Sequence, residues 1–390
     1  MIIRCPRCHR KNRLPDVPQR GGEYRCSQCG QTLSSGKAAW AMAQTRTWLR
    51  GAWGKKPPLP LILLQAAYLL ALWTLAFFNA QGAEGWWLGS LNLYLPQWVW
   101  ALPGGIILLL TLGFARRWAW VPLGALLWVF GPLMGLCWHW GLPAAPDAAP
   151  GSTAGTRLRV MTYNVKGGSR DAAAIVRDIQ AFHPDLIQMQ DSYGVMNGAV
   201  GQALAGWNVR ADGQYLVASP GPFSELESRD LSFAGSQHHC VRYRLRVGST
   251  DVTVYDVHLL SPREGLVSAR HRRVGGLMEN AGDRLQEAGR LAEYVQAEPG
   301  PTLLTGDLNA PTQSLVCRRL SEAGLRDAFS EAGYGYGYTY GGYTRVGSPY
   351  VRIDHIMASP VWRIERCWVG NAAGSDHCPV IADLVLPAAR

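Results

Sequence analysis

The sequence predicts an α/β domain over residues 157–390, preceded by a cysteine-rich module and an all-α transmembrane region. Three observations support this division. Short apolar strand patterns alternate with amphipathic helix patterns after residue 157, as they do in α/β domains. Two Cys-x-x-Cys pairs lie within the first 36 residues. Apolar runs between residues 59 and 142 are long enough to cross a bilayer, which takes about 20 residues.

The first module, residues 1–36, carries Cys5, Cys8, Cys26 and Cys29. This spacing predicts a four-cysteine Zn²⁺ site, and the module resembles short bacterial zinc ribbons. Two disulfides and cysteines without metal are the alternatives. Disulfides are disfavoured because no signal peptide precedes the module and its predicted side of the membrane is reducing. Such modules are mostly structural or docking units, so we expect a cytoplasmic protein partner rather than catalysis.

A basic connector, residues 37–58, leads into apolar runs at about 59–80, 97–115 and 118–142. Each run is predicted to be a transmembrane helix, and tryptophans near their ends are typical of the aromatic belt at a membrane interface. Pro103-Gly104-Gly105 interrupts the second run, which is also compatible with a re-entrant hairpin.

Charge predicts the orientation of these runs. Basic residues precede the first run and form Arg116-Arg117 between the second and third, whereas loop 81–96 has neither Lys nor Arg. The positive-inside rule then places the amino terminus in the cytoplasm and, after three crossings, the carboxyl-terminal domain in the periplasm or outside the cell. We expect a multi-pass protein of a bacterial inner (cytoplasmic) membrane, in contact with membrane lipid.

The net charge of +10 belongs to the amino-terminal part of the chain. Residues 1–156 contain 14 Lys+Arg and 4 Asp+Glu, a difference of +10, whereas residues 157–390 contain 24 of each, a difference of zero. A neutral domain argues against a broad electrostatic surface for nucleic acid.

A Pro/Ala/Gly-rich linker, residues 143–156, precedes the α/β domain. Periodicity in that domain predicts strands over 158–162, 186–190 and 241–247 and helices over 171–182, 264–297 and 314–323. In the third strand Arg242, Arg244 and Arg246 alternate with apolar residues, so we expect them on an exposed face.

Polar residues follow several apolar strand patterns in this domain. They are Asn164, Asp191, His258, Asp307, Asn309, Asp354, Asp376 and His377. Carboxylates, amides and histidines at strand ends are typical of metal-assisted hydrolytic sites. Asp307 and Asn309 are two residues apart, so on extended chain their side chains would point the same way.

The segments that carry these residues are TYN, MQD, DVHL, GDLN, RIDHI and SDH, in this order. Over residues 157–388 they resemble the endonuclease/exonuclease/phosphatase superfamily. The resemblance implies a four-layer α/β sandwich, in which two mixed β-sheets are flanked by helices. The chain departs from the family at Asp191, where a Glu is usual, so this side chain is one methylene shorter.

The resemblance also implies catalytic roles. Asp307 would orient or deprotonate the attacking water, and Asn309 would hold the phosphoryl group. His377, oriented by Asp354, and His258 would each donate a hydrogen bond to a phosphoryl oxygen.

A metal is implied as well. Asp191 and Asn164 would bind Mg²⁺ or Mn²⁺, and Asp376 would be a second metal contact, since hard divalent ions take oxygen ligands.

Several other residues have open interpretations. The cluster Arg270–Arg273 either contacts a phosphate-rich substrate or is a solvated face, and the Gly/Tyr segment Tyr334–Tyr343 either stacks on substrate or is a flexible connection. Asp256 is expected to cap a strand end, and His355 to point away from the site. Four cysteines of the domain are disulfides or buried thiols: Cys240, Cys317, Cys367 and Cys378.

Together these features predict a membrane-anchored, Mg²⁺-dependent phosphoesterase that hydrolyses phosphodiester or phosphomonoester bonds by in-line attack of water. Its substrate would be a lipid headgroup, a nucleic acid or a small phosphodiester. Three alternatives stay open: a lipid phosphodiesterase of sphingomyelinase type, an extracytoplasmic nuclease acting on DNA or RNA, and a degenerate domain used for binding.

Overall fold

The computed structural model describes residues 2–5, 7–13, 23–34, 56–139, 155–233 and 236–388. Most of the predicted basic connector, up to residue 55, and linker residues 143–154 lie outside the described residues. The chain divides into two compact units, one of residues 1–72 with 100–129 and the other of residues 73–99 with 130–390.

The amino-terminal module forms two short antiparallel hairpins. Their strands are β1 (Ile2–Arg4), β2 (Lys11–Arg13), β3 (Glu23–Arg25) and β4 (Thr32–Ser34). A Cys-x-x-Cys turn follows β1 and another follows β3. The equivalent turns close with the same backbone bonds, from His9 N to Cys5 O and from Gly30 N to Cys26 O. The two turns therefore present their thiols alike.

The apolar region is helical. Its helices are α1 (Leu59–Gly82), α2 (Trp87–Leu93), α3 (Ala101–Phe114) and α4 (Trp120–Trp128), and α4 continues as a π-helix at Val129–Leu133. Two stretches of the described chain, Leu59–Gly85 and Gln97–Phe114, are long and apolar enough to cross a membrane. They qualify as membrane spans by length and composition alone. Buried core helices and signal sequences have the same length and composition.

The prediction of a third transmembrane helix over 118–142 is wrong for the described residues. The helix ends in the π-turn that contains Pro132, which has no N–H to donate, and Gly135 follows with a left-handed φ of 73°. Cys137 then exchanges backbone hydrogen bonds with Gly335 at 2.9 and 3.0 Å, so the chain is extended there. Residues 140–142 of the predicted span lie outside the described part.

Twelve strands lie in the described residues of the carboxyl-terminal domain. They are β5 (Gly155–Asn164), β6 (Leu186–Gln190), β7 (Asn208–Asp212), β8 (Tyr215–Ser219), β9 (Phe223–Asp230), β10 (His239–Val247), β11 (Thr250–His258), β12 (Thr302–Asp307), β13 (Arg326–Asp327), β14 (Asp354–Ala358), β15 (Arg363–Val369) and β16 (Val380–Pro387). One six-stranded sheet has the order β15-β16-β5-β6-β8-β7 and the other β13-β14-β12-β11-β10-β9. Each sheet is mixed, because β5 is parallel to β6 and β11 to β12 while their other neighbours are antiparallel.

The helices of this domain are α5 (Ala172–Phe182), α6 (Ala199–Ala203), α7 (Arg263–Arg270), α8 (Val274–Gln296), α9 (Leu315–Glu322) and α10 (Ala328–Ala332). One apolar core joins the facing sides of the two sheets, a second packs α8 and α9 on β11 and β12, and a third packs α5 and α6 on β5 and β6. The predicted four-layer α/β sandwich is confirmed.

Helix α5 shows how local sequence sets the element bounds. The Asp171 carboxylate caps its start by accepting from Ala174 N at 3.0 Å, and His183 ends it with a φ of 48°. The predicted bounds of 171–182 agree with this helix, and strand 186–190 is confirmed at both ends.

Two predictions about local structure are corrected. The single helix over 264–297 is two helices, since Arg272 has a left-handed φ of 61°. They pack closely at Gly276, where a Cβ would lie 2.8 Å from Ser268 Oγ. Arg242, expected on an exposed face, is buried and pairs with Glu298 at 2.7 Å and Glu227 at 2.9 Å.

Candidate active site

One end of the sandwich gathers the polar residues predicted from the sequence. Both sheets contribute: β5 and β6 end at Asn164 and next to Asp191, while β11 and β12 end at His258 and Asp307. A cavity of about 310 Å³ lies at this end. It is lined by Asn164, Lys166, Asp191, His258, Ser261, Arg263, Asp307, Asn309, Tyr340, Tyr343, Asp376 and His377. Seven of the eight predicted site residues therefore share one pocket, and the eighth, Asp354, lies behind His377.

The Gly306-Asp307-Leu308-Asn309 turn needs its glycine. Gly306 has a φ of 135°, and a Cβ there would lie 2.0 Å from Val257 O on the parallel strand β11. Only glycine allows this approach of the two backbones. The close strand pairing sets Asp307 opposite His258 at the pocket floor.

Asp307 and Asn309 converge for a reason other than strand alternation. Strand β12 ends at Asp307, and Asn309 has a left-handed φ of 48°. The backbone N–H of Asn309 donates to Asp307 Oδ1 at 2.8 Å, which turns the chain back toward the carboxylate. Both side chains therefore line one pocket, although the chain between them is a turn.

Asn309 is fixed by three further hydrogen bonds. Its Nδ2 donates to Leu259 O at 2.9 Å, and its Oδ1 accepts from the Tyr343 hydroxyl at 3.0 Å. Its backbone oxygen accepts from the Tyr94 hydroxyl at 3.0 Å. One N–H of the side-chain amide has no partner among these bonds and is free for a ligand.

His377 lies between two carboxylates. Its Nδ1 is 2.9 Å from Asp354 Oδ2, and its Nε2 is 3.8 Å from Asp307 Oδ2. Burial lowers the pKa of His377, but the charges of Asp354 and Asp307 and the bond to Asp354 outweigh burial and raise the pKa to about 9. The ring is thus an imidazolium at neutral pH and can donate to a phosphoryl oxygen.

Asp307 is almost fully buried, and His258 Nε2 lies 3.6 Å from its Oδ2. Burial raises the pKa of Asp307 above its ordinary value and the Asp354 carboxylate adds to this, while His377 and His258 counter it. A carboxylate with a raised pKa is a better proton acceptor. On the far side of the His258 ring, Nδ1 lies 2.6 Å from Gln214 Oε1, which fixes the ring plane.

Asn164, Asp191 and Asp376 bring side-chain oxygens to the lining of the pocket. Asn164 Nδ2 donates to Asp307 Oδ2 at 3.0 Å, and its Oδ1 accepts from Lys166 N at 3.3 Å. The Asp191 carboxylate has no hydrogen bond or ion pair with the residues that the structure describes. An oxygen set with one unpaired carboxylate fits a hard divalent cation. Asp376 differs, because Lys166 Nζ lies 2.6 Å from its Oδ2.

Sequence reasoning missed several pocket residues. Lys166 and Arg263 bring cations to the rim, and the Arg263 guanidinium donates to the Tyr340 hydroxyl at 2.8 Å. The Tyr340 ring also contacts the His377 ring, with centroids 4.4 Å apart and the planes tilted by 36°. Lys166 stands two residues after Asn164, a signal that could have been used, whereas nothing in the local sequence ties Arg263 to the site.

The Gly/Tyr segment Tyr334–Tyr343 is packed rather than a free connection. Tyr336 donates to Phe130 O at 2.9 Å and Tyr338 to Met134 O at 3.0 Å, while Tyr340 is buried beside His377. The cluster Arg270–Arg273 is exposed between α7 and α8 and does not line the pocket.

Two other predictions are settled by side-chain environments. Asp256, expected as a strand-end cap, is fully buried between the sheets and accepts from Gln190 Nε2 at 2.6 Å. Burial raises the pKa of Asp256 well above its ordinary value. Cysteines 240, 317, 367 and 378 are all free and buried, as the thiol alternative proposed.

The four cysteines of the amino-terminal module form a second candidate metal site. Their sulfur atoms all lie within 4.8 Å of one another, with Cys5 Sγ 3.6 Å from Cys29 Sγ and Cys8 Sγ 3.5 Å from Cys26 Sγ. Their separations are too long for disulfides and suit a shared tetrahedral ion.

Comparison with known proteins finds a match for each of the two domains. A family described as "Endonuclease/Exonuclease/phosphatase family" matches residues 161–377, more than half of the chain, and a zinc-ribbon domain matches residues 1–33. No curated protein matches the chain.

Several solved structures are similar to the carboxyl-terminal domain. An endonuclease/exonuclease/phosphatase family protein from Bacteroides thetaiotaomicron is 18% identical over 60% of this chain and 98% of its own, with a TM-score of 0.49. A mannosyl-6-phosphatase from the same organism is 18% identical over 58% and 99%, with a TM-score of 0.47. TDP2 from D. rerio, complexed with single-strand DNA product, is 14% identical over 58% and 98%, with a TM-score of 0.46.

Proposed function

Because the chain belongs to the endonuclease/exonuclease/phosphatase family, whose members are in general hydrolases of phosphoester bonds, we propose that it is a Mg²⁺- or Mn²⁺-dependent hydrolase of phosphodiester or phosphomonoester bonds. The observation that carries this proposal is the convergence of Asn164, Asp191, His258, Asp307 and His377 in one pocket of about 310 Å³. That volume accommodates a phosphoryl group with the nearest part of its substituents.

Different residues of the pocket have different roles in the in-line attack of water on the phosphorus. Asp307 holds the attacking water and accepts its proton, which its raised pKa favours. His377 and His258 flank that carboxylate and donate to the phosphoryl oxygens as negative charge develops on them. The free N–H of Asn309 holds the same group, and Asp354 orients His377.

Asp191 and Asn164 would hold the divalent cation, with Asp376 as a further contact once Lys166 is displaced or shared. A bound Mg²⁺ would supply positive charge to the phosphoryl oxygens. The shorter Asp191 side chain stands where the family usually has Glu, and its unpaired carboxylate supports a working ligand.

A lipid phosphodiesterase is the second candidate. It is favoured by the contact between Tyr94, which follows the apolar helix α1 by twelve residues, and Asn309 in the pocket wall. A substrate in the membrane surface would reach a pocket built this way.

We also propose that the chain is a membrane protein whose amino terminus is cytoplasmic and whose catalytic domain lies across the membrane. Tyr94 and Glu84 hydrogen-bond to Asn309 and Leu315 of the catalytic domain, which supports the placement of residues 83–94 and that domain on one side of the membrane. That loop has no Lys or Arg, which favours the far side.

The four-cysteine module is proposed to bind one structural Zn²⁺ and to dock a cytoplasmic protein. Metal analysis of the purified chain should find one zinc per molecule, lost in a Cys5→Ser/Cys8→Ser variant. Hydrolysis by that variant should be unchanged, because the catalytic metal is separate. A chain without zinc, or with disulfides among these cysteines, contradicts this assignment.

The proposed activity is tested by offering the purified full-length protein a substrate panel, after chelation and after addition of Mg²⁺ or Mn²⁺. The panel holds phospholipids, DNA, RNA, small phosphodiesters and phosphomonoesters, with the Asp307→Asn variant as the control for contaminating hydrolases. Metal-dependent turnover of one class, absent in the variant, supports the proposal and names the substrate. No turnover of any class leaves the degenerate binding domain as the better account.

A further inference from the structure

The catalytic turn 307–315 is held by a part of the chain that lies outside the family domain. Of the hydrogen bonds that fix Asn309, those to Asp307, Leu259 and Tyr343 are internal to the domain. The fourth, from the Tyr94 hydroxyl to Asn309 O, comes from the segment between the two longest apolar helices. Residues 83–94 are therefore candidates for a part in the site.

Tyr94 is itself rigidly placed. It is 2% exposed, and its ring meets the Tyr343 ring edge-on with centroids 5.3 Å apart. The guanidinium of Arg284 lies 5.7 Å from the ring centroid on another side. Tyr350 donates to Tyr94 O at 3.3 Å. Contacts with the catalytic domain thus fix both the ring and the backbone of Tyr94. The hydroxyl is therefore held toward Asn309 O.

The same segment, residues 83–94, also binds the carboxyl-terminal end of the catalytic turn 307–315. Glu84 is buried, and both of its carboxylate oxygens accept from Leu315 N at 3.0 Å, at the first turn of helix α9. Ser314 caps that helix separately by accepting from Cys317 N at 3.1 Å. Residues 83–94 therefore bind the chain that carries Asn309 at its start and at its end.

We propose that Tyr94 is a positioning residue for Asn309, and that residues 83–94 complete the active site of this chain. This inference rests on the proposed function of the pocket. Asn309 has a left-handed backbone, which asparagine adopts more readily than other residues that carry a Cβ, and four hydrogen bonds hold it there. The Tyr94 hydroxyl supplies one of the bonds that hold it. An isolated domain of residues 157–390 would lack this bond and the one from Glu84.

The test compares two variants in the full-length protein in detergent with Mg²⁺. Tyr94→Phe removes only the hydroxyl that bonds Asn309. Tyr243→Phe is the matched control, because Tyr243 is fully buried in the central core and its hydroxyl has no hydrogen-bond partner among the described residues. Two readouts are taken: steady-state kinetics and amide hydrogen exchange of peptides covering residues 306–312.

Tyr94→Phe is expected to lower kcat by roughly tenfold with KM within about twofold, and to raise exchange in the 306–312 peptides. Tyr243→Phe should leave both unchanged. A Tyr94→Phe variant with the kcat of the wild type would overturn the inference. A Tyr94→Phe variant with unchanged exchange in these peptides would overturn it as well. If the wild-type protein hydrolyses nothing, the proposed function fails, and hydrogen exchange alone still decides whether Tyr94 fixes the turn.

Discussion

Asp354 and His355 are neighbours on strand β14, yet their side chains enter two different carboxylate–histidine clusters. Asp354 bonds His377, which lines the pocket and faces a second carboxylate, Asp307. On the other face of the strand, His355 Nδ1 lies 2.7 Å from Asp327 Oδ2, and its Nε2 lies 3.1 Å from Ala310 O. The two clusters thus share a strand and a chemical motif.

The two clusters differ in charge balance and access. Asp327 is also paired with the buried Arg352 at 2.6 Å, and both ring nitrogens of His355 have partners inside the protein. In the pocket cluster, Asp307 lies 3.6 and 3.8 Å from its two histidines, and its pKa is raised, whereas pairing holds the pKa of Asp327 far below its ordinary value despite burial. Imperfect pairing beside a cavity, rather than the motif itself, distinguishes the proposed catalytic cluster from the cluster of Asp327 and His355.

The largest expected effect on the difference between the two clusters comes from removing His377, the histidine of the pocket cluster. His377→Ala should lower kcat at least ~100-fold, because one positioned acid–base group contributes 10²–10⁴-fold. KM should change much less, since this donor acts on charge that develops in the transition state. Kinetics of the purified full-length variant on the substrate found by the panel check this. Full Mg²⁺-dependent turnover would remove His377 from the mechanism.

A smaller effect is expected at the metal. Asp191→Ala should raise the Mg²⁺ concentration for half-maximal rate by roughly tenfold or more, because a hard cation loses its unpaired carboxylate. Asp191→Glu restores the ligand usual in the family and should keep or raise activity. A Mg²⁺ titration of the three proteins measures this, and an unchanged requirement in Asp191→Ala would show that the cation binds elsewhere.

The smallest effect concerns the stability of the fold. It arises in the cluster of Asp327, Arg352 and His355, called the closed cluster because its charged groups are paired inside the protein. Burial lowers the pKa of His355, but the neighbouring Cys317 sulfur and the Asp327 carboxylate outweigh it and raise the pKa to about 10. The folded chain binds this proton more tightly than the unfolded one, so the contribution is complete below pH 6.5 and is lost as the pH rises toward about 10.

Thermal unfolding between pH 6.5 and 10 measures that contribution. The Tm of the wild-type protein should fall with pH by at least about 2 °C more than that of His355→Gln. His377, whose pKa is raised to about 9, adds a decline of the same sign to both proteins. His271→Gln changes an exposed histidine and is the control that should follow the wild type. Parallel curves for wild type and His355→Gln would contradict the pairing.

The sandwich and most of the pocket were predicted because six short motifs, in order, resemble a known family, and the individual elements were predicted from short-range patterns. Strand β6 and helix α5 follow from periodicity, and Asp354 and His355 separate to opposite faces by strand alternation. The order of six motifs assigned Asp307, Asn309 and His377 to one site. Each element and each motif spans only a few consecutive residues, and the order of the motifs joins them into one site.

The failures involve contacts between distant residues or the ends of apolar helices. Arg242 was expected in solvent, but Glu298 draws it inward from 56 positions away. The apolar run over 118–142 gave no sign that Cys137 would pair with Gly335. Nothing in the local sequence links Tyr94 to Asn309, which lies 215 positions later.

The most direct test makes one chemical change in each cluster: Asp307→Asn in the pocket and Asp327→Asn in the closed cluster, each measured for kcat per folded molecule and for Tm. We predict that Asp307→Asn lowers kcat at least ~100-fold with little change in Tm. Asp327→Asn should cost about 3 kcal/mol of stability by leaving Arg352 unpaired, while kcat of the folded fraction stays within a few-fold. Full Mg²⁺-dependent turnover by Asp307→Asn, or an equal loss of kcat in folded Asp327→Asn, would contradict the account.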